Sequence, residues 1–585
     1  MMTFCTVTTD ASSGPGSLAA CFEAAEDPYN DVITFSSSLT DATINVSGLE
    51  ILETQGNMFL RGGDRNITLN AENDNAHFIV VDSDTPNRTS LRIENLNLVN
   101  GSWASIYAAD AELKLSGVTI ESTSSGRAVQ VQDFYNWNAD PQVDIRHSAF
   151  RNNAAGALFI GHTGTHGHFA GTTSGSINVA SSEFSGNTVS GLVDGGAIEI
   201  RHHHLEGFHP LEINIDNNTI SDNAARNGGG LHIIGNNLTT RLLNNTIVEN
   251  TASNAYGGAF ISAVGTTTIN NTIIYDNASA TGANDLHMNG TASGTNNIMN
   301  GTTGFGGSYT ATDPMLAPLA DNGGLSRTHA LTAASTAAKD AGNNAAWTSV
   351  HSDGPIRKLG DQRGPMYSRI AGSTTGTDTI DIGAYECNNS IRGRAVIDSD
   401  RFPLGNGVGN VEITATNAPE TPHTAKTTNA SGMPVVDIDI NGDGVIDAQT
   451  ERGWYWMDDL TDDIWNTAVT DTPGESVILG PVSHNLLPTK TGELTNYRVT
   501  GISGFTLLTT ATVAAGADEF ASFAGSGGGV IGFDEITGQF VGDEYLQSHG
   551  VSFDFGVTPP EQWGVFHEGN PQTIGNLDGY DGRYR

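Results

Sequence analysis

The residues best spaced for chemistry fall in two places. Asp439, Asn441, Asp443 and Asp447 stand at positions 1, 3, 5 and 9 of a loop with Gly444 at position 6 and Val445 at position 7. That is the ligand order of a calcium-binding loop, in which the glycine makes the sharp turn and the next residue lends its carbonyl. Thr450 occupies position 12, where a bidentate acid usually closes such a loop, and Glu451 follows it. Calcium here is expected to order a small module rather than to take part in a reaction.

The second place is a set of short apolar segments: AVQV (128–131), LFI (158–160), IEI (198–200), LHI (231–233), FIS (260–262) and LHM (286–288). If successive segments stack as strands, the period-2 alternation turns one residue of each outward. The expected ladder is Gln130, Phe159, Glu199, His232, Ile261 and His287, with neighbours about 5 Å apart. Arg201 lies two residues after Glu199 and shares its face. The longest insertions border this region. GHTGTHGHF supplies His162, His166 and His168, RHHHLEGFH supplies His202, His203, His204 and His209, and DFYNWNADP supplies Phe134, Tyr135 and Trp137.

A wall of this composition suits a polysaccharide, because aromatic faces cover sugar rings while His, Arg and Glu reach hydroxyls or carboxylates. If the wall is catalytic, the expected class is a polysaccharide lyase acting on a uronate-containing glycan. His232 would remove the proton α to the uronate carboxylate, Arg201 would stabilise the developing negative charge, and Glu199 would orient His232 or hold a cation. Hydrolysis needs a carboxylate pair roughly 5–10 Å apart, and acids near the ladder are too few to choose one. The histidine insertions also suit zinc or another transition metal, through His166 or His168 with a residue of 202–204. The plainest alternative makes these histidines solvated loop residues on a structural stalk or surface-layer component without ligand.

The elements that must position these residues are announced by a repeat. NNTISDNAARNGGGLHI (217–233), NNTIVENTASNAYGGAFI (244–261) and NNTIIYDNASATGANDLHM (270–288) share one template, with weaker copies at 147–160 and 181–200. Phe150, Phe184, Ile220, Ile247 and Ile273 recur at intervals of 34, 36, 27 and 26 residues. Such intervals fit one solenoid coil with loops of varying size. A single coil cannot bury its apolar face, but stacked coils make a continuous core, and asparagine at each bend tolerates left-handed backbone. The expected fold is all-β: a right-handed parallel β-helix followed by small β-sandwich modules.

Composition narrows the partners. Asp and Glu number 65 against 26 Lys and Arg, for a formal charge of −39. Such a surface repels nucleic acid and anionic lipid. No apolar run is long enough to span a bilayer, so no transmembrane segment is expected. The opening MMTFCTVTTD lacks the basic and apolar regions of a signal peptide, so export is expected to rest on a signal outside this chain. Cys5 and Cys21 can pair, which leaves Cys387 over.

Two stretches carry a family resemblance. TVTTDASSGPGSLAACFEAA…DVITF, near the start, resembles the N-terminal cap of bacterial secreted β-helix proteins. DPMLAPLADNGGLSRTHAL…DAG…DQRG…DIGAYE (313–386) is similar to the C-terminal segment of the choice-of-anchor Q family. With the repeats, the resemblance covers residues 1 to about 387, and it implies an exported protein of the bacterial cell surface without assigning a reaction. SLAACFEAA replaces the usual basic-acidic helix of the cap, and Cys21 within it is placed to staple Cys5. DQRG and DIGAYE are expected to cover the end of the solenoid. The resulting division is 1–45 cap, 46–310 β-helix, 311–387 C-terminal end of the β-helix, 388–480 β-sandwich with the calcium loop, and 481–585 a second sandwich-like module.

Overall fold

The computed structural model describes residues 4–387 apart from short stretches, the longer being 83–88, 134–141, 163–174, 203–209, 351–359 and 370–378; beyond 387 it describes strands alone. Each coil lays strands into parallel ladders. The ladder that concerns function runs through β1 (Val129–Asp133), β2 (Leu158–His162), β3 (Ile198–His202), β4 (Leu231–Leu243), β5 (Ala259–Asn270) and β6 (Leu286–Ser293), each pairing in parallel with the next. It continues backward through Ile106–Ala109 to Phe78–Val81 and Leu49–Leu52. A second ladder starts at Phe4–Val7 and joins the first at the bent strand β4. A third holds 11 strands, from Thr43–Asn45 to Tyr309–Thr310. This is a parallel β-helix.

Alternation explains the core. Val129 and Val131, Ile198 and Ile200, and Leu231 and Ile233 point inward and are fully or almost fully buried, within one apolar column that extends from Val7 to Met299. Phe150 and Phe184 stack on consecutive coils with ring centroids 4.6 Å apart. Two registers differ from the sequence expectation by one residue. Ile247 pairs with Ile274, not Ile273, which makes that interval 27 residues. His232 pairs with Phe260, so Ile261 faces the core and Phe260 is the outward rung. The first slip follows from Asn270-Asn271-Thr272-Ile273, which matches the NNTI template one residue ahead of the true register, and the second from one residue added between Ala252 and Ala255.

The bends are held by side-chain columns. Asn217, Asn244 and Asn271 adopt positive φ of 60°, 54° and 51°, a backbone that asparagine tolerates better than most residues. A buried asparagine column runs beside them. The Nδ2 of Asn187 donates to Asn223 at 2.8 Å, Asn223 to Asn250 at 2.9 Å, and Asn250 to Asn277 at 2.9 Å. Asp285 ends the column by accepting from Asn277 at 3.0 Å. Burial pushes its carboxyl up to about 6. Each rung thereby satisfies polar groups that burial would otherwise leave unpaired.

The domain plan needs three corrections. Thr43–Asn45 already pairs in register with Ile67–Asn70, so residues 1–45 are the first coil and no break falls at 45/46. Its short helix, Leu18–Ala24, is capped by the Ser17 hydroxyl, and a Cys5–Cys21 disulfide ties the helix to the first strand. The described residues of 313–387 run beside the coils and not over the end of the solenoid. They lie along its flank: Asn217 donates to the Gly360 carbonyl at 2.8 Å, Thr219 to Gln362, Asn244 to the Asp381 carbonyl at 3.1 Å and Asn271 to the Asn343 carbonyl at 3.1 Å. The left-handed bends expose polar groups in a row, and this segment satisfies them. Finally, Ile502–Thr509 pairs in parallel with Ile391–Val396, so the boundary expected at 480/481 falls inside one four-stranded sheet. The proposed calcium ligands Asp439, Asn441, Asp443, Val445 and Asp447 lie outside the described residues.

Candidate ligand site on the coil face

The ladder brings Glu199 and His232 side by side, as paired residues of β3 and β4. Arg127, just ahead of β1, reaches two coils along and is buried. Its Nη2 donates to the Asp194 carbonyl at 2.5 Å and to Glu199 Oε2, and its Nη1 to the Gly195 carbonyl. Arg201 Nε donates to the other oxygen of Glu199 at 2.5 Å. Asp194 accepts from Arg226 through two bonds of 2.8 Å and from Asn227 at 2.9 Å. The turn that sets Asp194 depends on glycine: a Cβ at Gly196 would lie 2.4 Å from the Gly229 carbonyl of the next coil.

His232 sits between the two acids and is bonded to neither. Its Nδ1 lies 3.7 Å from Glu199 Oε1 and its Nε2 3.8 Å from Asp194 Oδ2. Nδ1 is buried and has no hydrogen-bond partner. Burial pulls the imidazole down to about 4, the arginines Arg201, Arg226 and Arg127 push the same way, and Asp194 opposes them. At neutral pH the ring is therefore uncharged. Burial raises Glu199 against the pull of Arg127 and Arg201. Burial also acts to raise Asp194, but the hydrogen bonds from Arg226 and Asn227 and the Arg226 charge hold it below its ordinary range.

Aromatic rungs continue from this cluster. His232 stacks on Phe260 at 5.1 Å and Phe260 on His287 at 5.0 Å, while Tyr256 lies 4.3 Å from His287. In the other direction the ladder passes through Phe159 and Gln130 to Tyr107.

The balance of charge decides what this cluster is suited to hold. Both oxygens of Asp194 and of Glu199 already accept from guanidinium groups. Asp194, Glu199 and His232 do offer ligand atoms within 4.8 Å of one another. Three guanidinium groups around two carboxylates and a neutral ring nevertheless leave an excess positive charge, which disfavours a divalent cation and favours an anion. Arg201 and Arg226, with side chains 37% and 34% exposed, are the groups an incoming ligand meets.

Of the residues chosen from sequence, Glu199, Arg201 and His232 converge here. His202 does not. Its ring is buried and its Nδ1 contacts the Asn236 carbonyl at 2.9 Å, because the strand turns its fifth residue inward. His162 is placed only by its backbone, which pairs with His202. Phe134, Tyr135, Trp137, His166, His168, His203, His204 and His209 lie outside the described residues. Sequence reasoning missed Arg127, Asp194 and Arg226. A signal for Asp194 existed: Asp194 and Asn227 each precede a glycine pair at one position of the repeat, which the next copy fills with Ala255.

No family model matches this chain, and no curated protein does. Among solved structures it is similar to ORF18 of Geobacillus virus E2, at 10% identity and a TM-score of 0.23, over 56% of this chain and 65% of that one. The chain thus spans less than two thirds of that protein, and so distant a likeness carries no argument about function.

Proposed function

We propose that this protein is an extracellular or cell-surface β-helix of the choice-of-anchor Q type that binds a polysaccharide along the ladder through β1–β6. The observation that carries this reading is the convergence of Arg201 and Arg226, over Glu199, Asp194 and His232, with aromatic rungs on the same face. The Cys5–Cys21 disulfide supports export, since such bonds persist in oxidising compartments. In this reading calcium at 439–447 orders the C-terminal part of the chain. The decisive measurement is binding to a glycan array by the full chain and by Arg201→Met. Retention of a glycan that the variant loses is expected, and the absence of any glycan ligand in calcium-containing buffer would leave a structural stalk as the better account.

One observation favours a lyase on the same face. His232 is uncharged at neutral pH and shares its cluster with the partly exposed Arg201, a base and a cation of the kinds needed to take a proton α to a carboxylate and stabilise the resulting anion. A lyase predicts ultraviolet-absorbing unsaturated uronate products from alginate, pectin or glycosaminoglycan, abolished in His232→Ala. Binding with no such product from any of the three substrates rejects the lyase and keeps the binding protein.

A further inference from the structure

The ladder carries a second exposed aromatic platform on the far side of the arginine cluster. Trp103 is 38% exposed, its ring lies 5.2 Å from that of Tyr107, and its indole N–H donates to Asn75 Oδ1 at 2.9 Å. That bond fixes the ring on the surface with the coil before β1. Tyr107 is a rung of the ladder that holds Glu199 and His232, so the platform and the cluster share one wall.

The opposite end shows a similar device. Tyr256 adopts φ of 61°, a conformation that bulky side chains rarely take, where the preceding repeats have Gly195 and Gly228 at φ of 64° and 57°. The strained backbone holds the tyrosine ring against His287 and Phe260. Strain kept at a surface aromatic is unexplained by the core, which Tyr256 does not enter.

From Tyr107 to His287 the ladder takes six steps, which at about 4.8 Å each make about 29 Å. We infer that the ligand is a carboxylate-bearing oligosaccharide lying along the solenoid axis, with its acid group on Arg201 and Arg226 and neighbouring sugars on the Trp103 and Tyr256 platforms. This inference rests on the polysaccharide reading above and adds the sign of the ligand's charge, its direction and its length. A chain of net charge −39 repels an anionic polymer at long range, so its capture requires local arginines and apolar platforms together.

The test is calorimetric titration of the full chain with oligogalacturonates and oligoalginates graded from about two to about eight sugars, spanning lengths below and above the ladder distance. Affinity is expected to climb with length and level off near the length that spans both platforms. Trp103→Ala and Tyr256→Gly, the latter restoring the residue type of Gly228 in the preceding repeat, are each expected to weaken the long oligomer about five- to tenfold and the shortest less than about twofold. An unchanged melting temperature establishes that the variants fold. If the shortest fragment binds as tightly as the longest, the extended ligand is overturned while the polysaccharide reading stands. If neutral oligosaccharides bind and acidic ones do not, the charge assignment is overturned. Failure of every oligosaccharide and of the glycan array removes the parent reading itself.

Discussion

Arg363 and Arg369, in the segment docked along the solenoid flank, are buried and fully engaged, whereas Arg201 and Arg226 on the coil face keep about a third of their side chains in solvent. Arg363 lies between the rings of Tyr367 and Tyr385, at 4.1 and 3.9 Å, and donates to Asp361 and to the Glu386 carbonyl. Arg369 donates to Asn217 of the coil at 2.6 Å and to Glu386 at 3.4 Å. The expected covering motifs DQRG and DIGAYE are thus a closed clamp between two parts of one chain. The cluster at Asp194, Glu199 and His232 uses the same residue types but leaves an imidazole nitrogen without a partner and two guanidinium edges open. Closure is what a structural clamp requires, and the solvent-facing edges of Arg201 and Arg226 are what the proposed ligand would meet.

That contrast breaks most readily at the clamp. Replacing Arg363 by Met leaves Asp361 buried without its partner and is expected to cost about 3–5 kcal/mol, read by chemical denaturation. Glycan binding by the folded fraction should be unchanged. If this variant is as stable as the parent, the clamp is not what holds residues 313–387 in place.

Arg127→Met should cost less, about 2–3 kcal/mol, because Glu199 keeps Arg201 and can take up a proton instead of standing charged. It differs from the clamp variant in its second effect, since the Asp194–Gly195 turn loses its anchor and ligand affinity should fall with stability. Arg201→Met is the reverse case. Its side chain is partly exposed, so denaturation should be nearly unaffected while affinity for an acidic glycan drops about tenfold. Equal losses of affinity and stability in Arg201→Met would erase the distinction drawn between the two clusters.

The smallest effect is on pH dependence, and it has opposite signs in the two regions. Burial pushes Asp381 up to about 7, and Glu386 is raised by burial and by Asp381. The folded clamp binds these protons more tightly than the unfolded chain, so its stability is greatest in acid and declines as pH rises through about 7. His232 behaves the other way. With its pKa lowered from 6.5 to about 4, the unfolded chain binds the proton more readily, and the stability contributed by the neutral ring is lost as pH falls from 6.5 toward 4. Each single proton changes stability by at most about 1.4 kcal/mol per pH unit. Amide exchange followed across this range should therefore show protection at Asp361–Arg363 and Ile380–Glu386 falling with rising pH. The ring of His232, followed by its own NMR titration, should stay neutral until the solution is strongly acidic.

Much of the fold was legible because its physics is local and repeated. The asparagine pairs, the glycine pairs and the alternating Ile and Leu residues recur at each coil, so the solenoid and the juxtaposition of Glu199 with His232 followed from the period. A one-residue slip was enough to misplace Phe260 and Ile273, since a strand shifted by one turns its other face outward. The path of residues 313–387 was not legible at all, because nothing in DQRG or DIGAYE states whether they meet an end or a flank.

The sequence by itself determined the coil, its inward column of aliphatic residues and the order of the rungs, because each of these depends on neighbours one repeat away. Only the tertiary structure decided the electrostatics of the site. Burial leaves His232 uncharged, and Arg127, which meets Glu199 from 72 residues away, and Arg226, which meets Asp194 from the next coil, push the same way. Periodicity specifies which strands are adjacent, whereas the reach of a long side chain across two coils depends on bends and loops that carry no period.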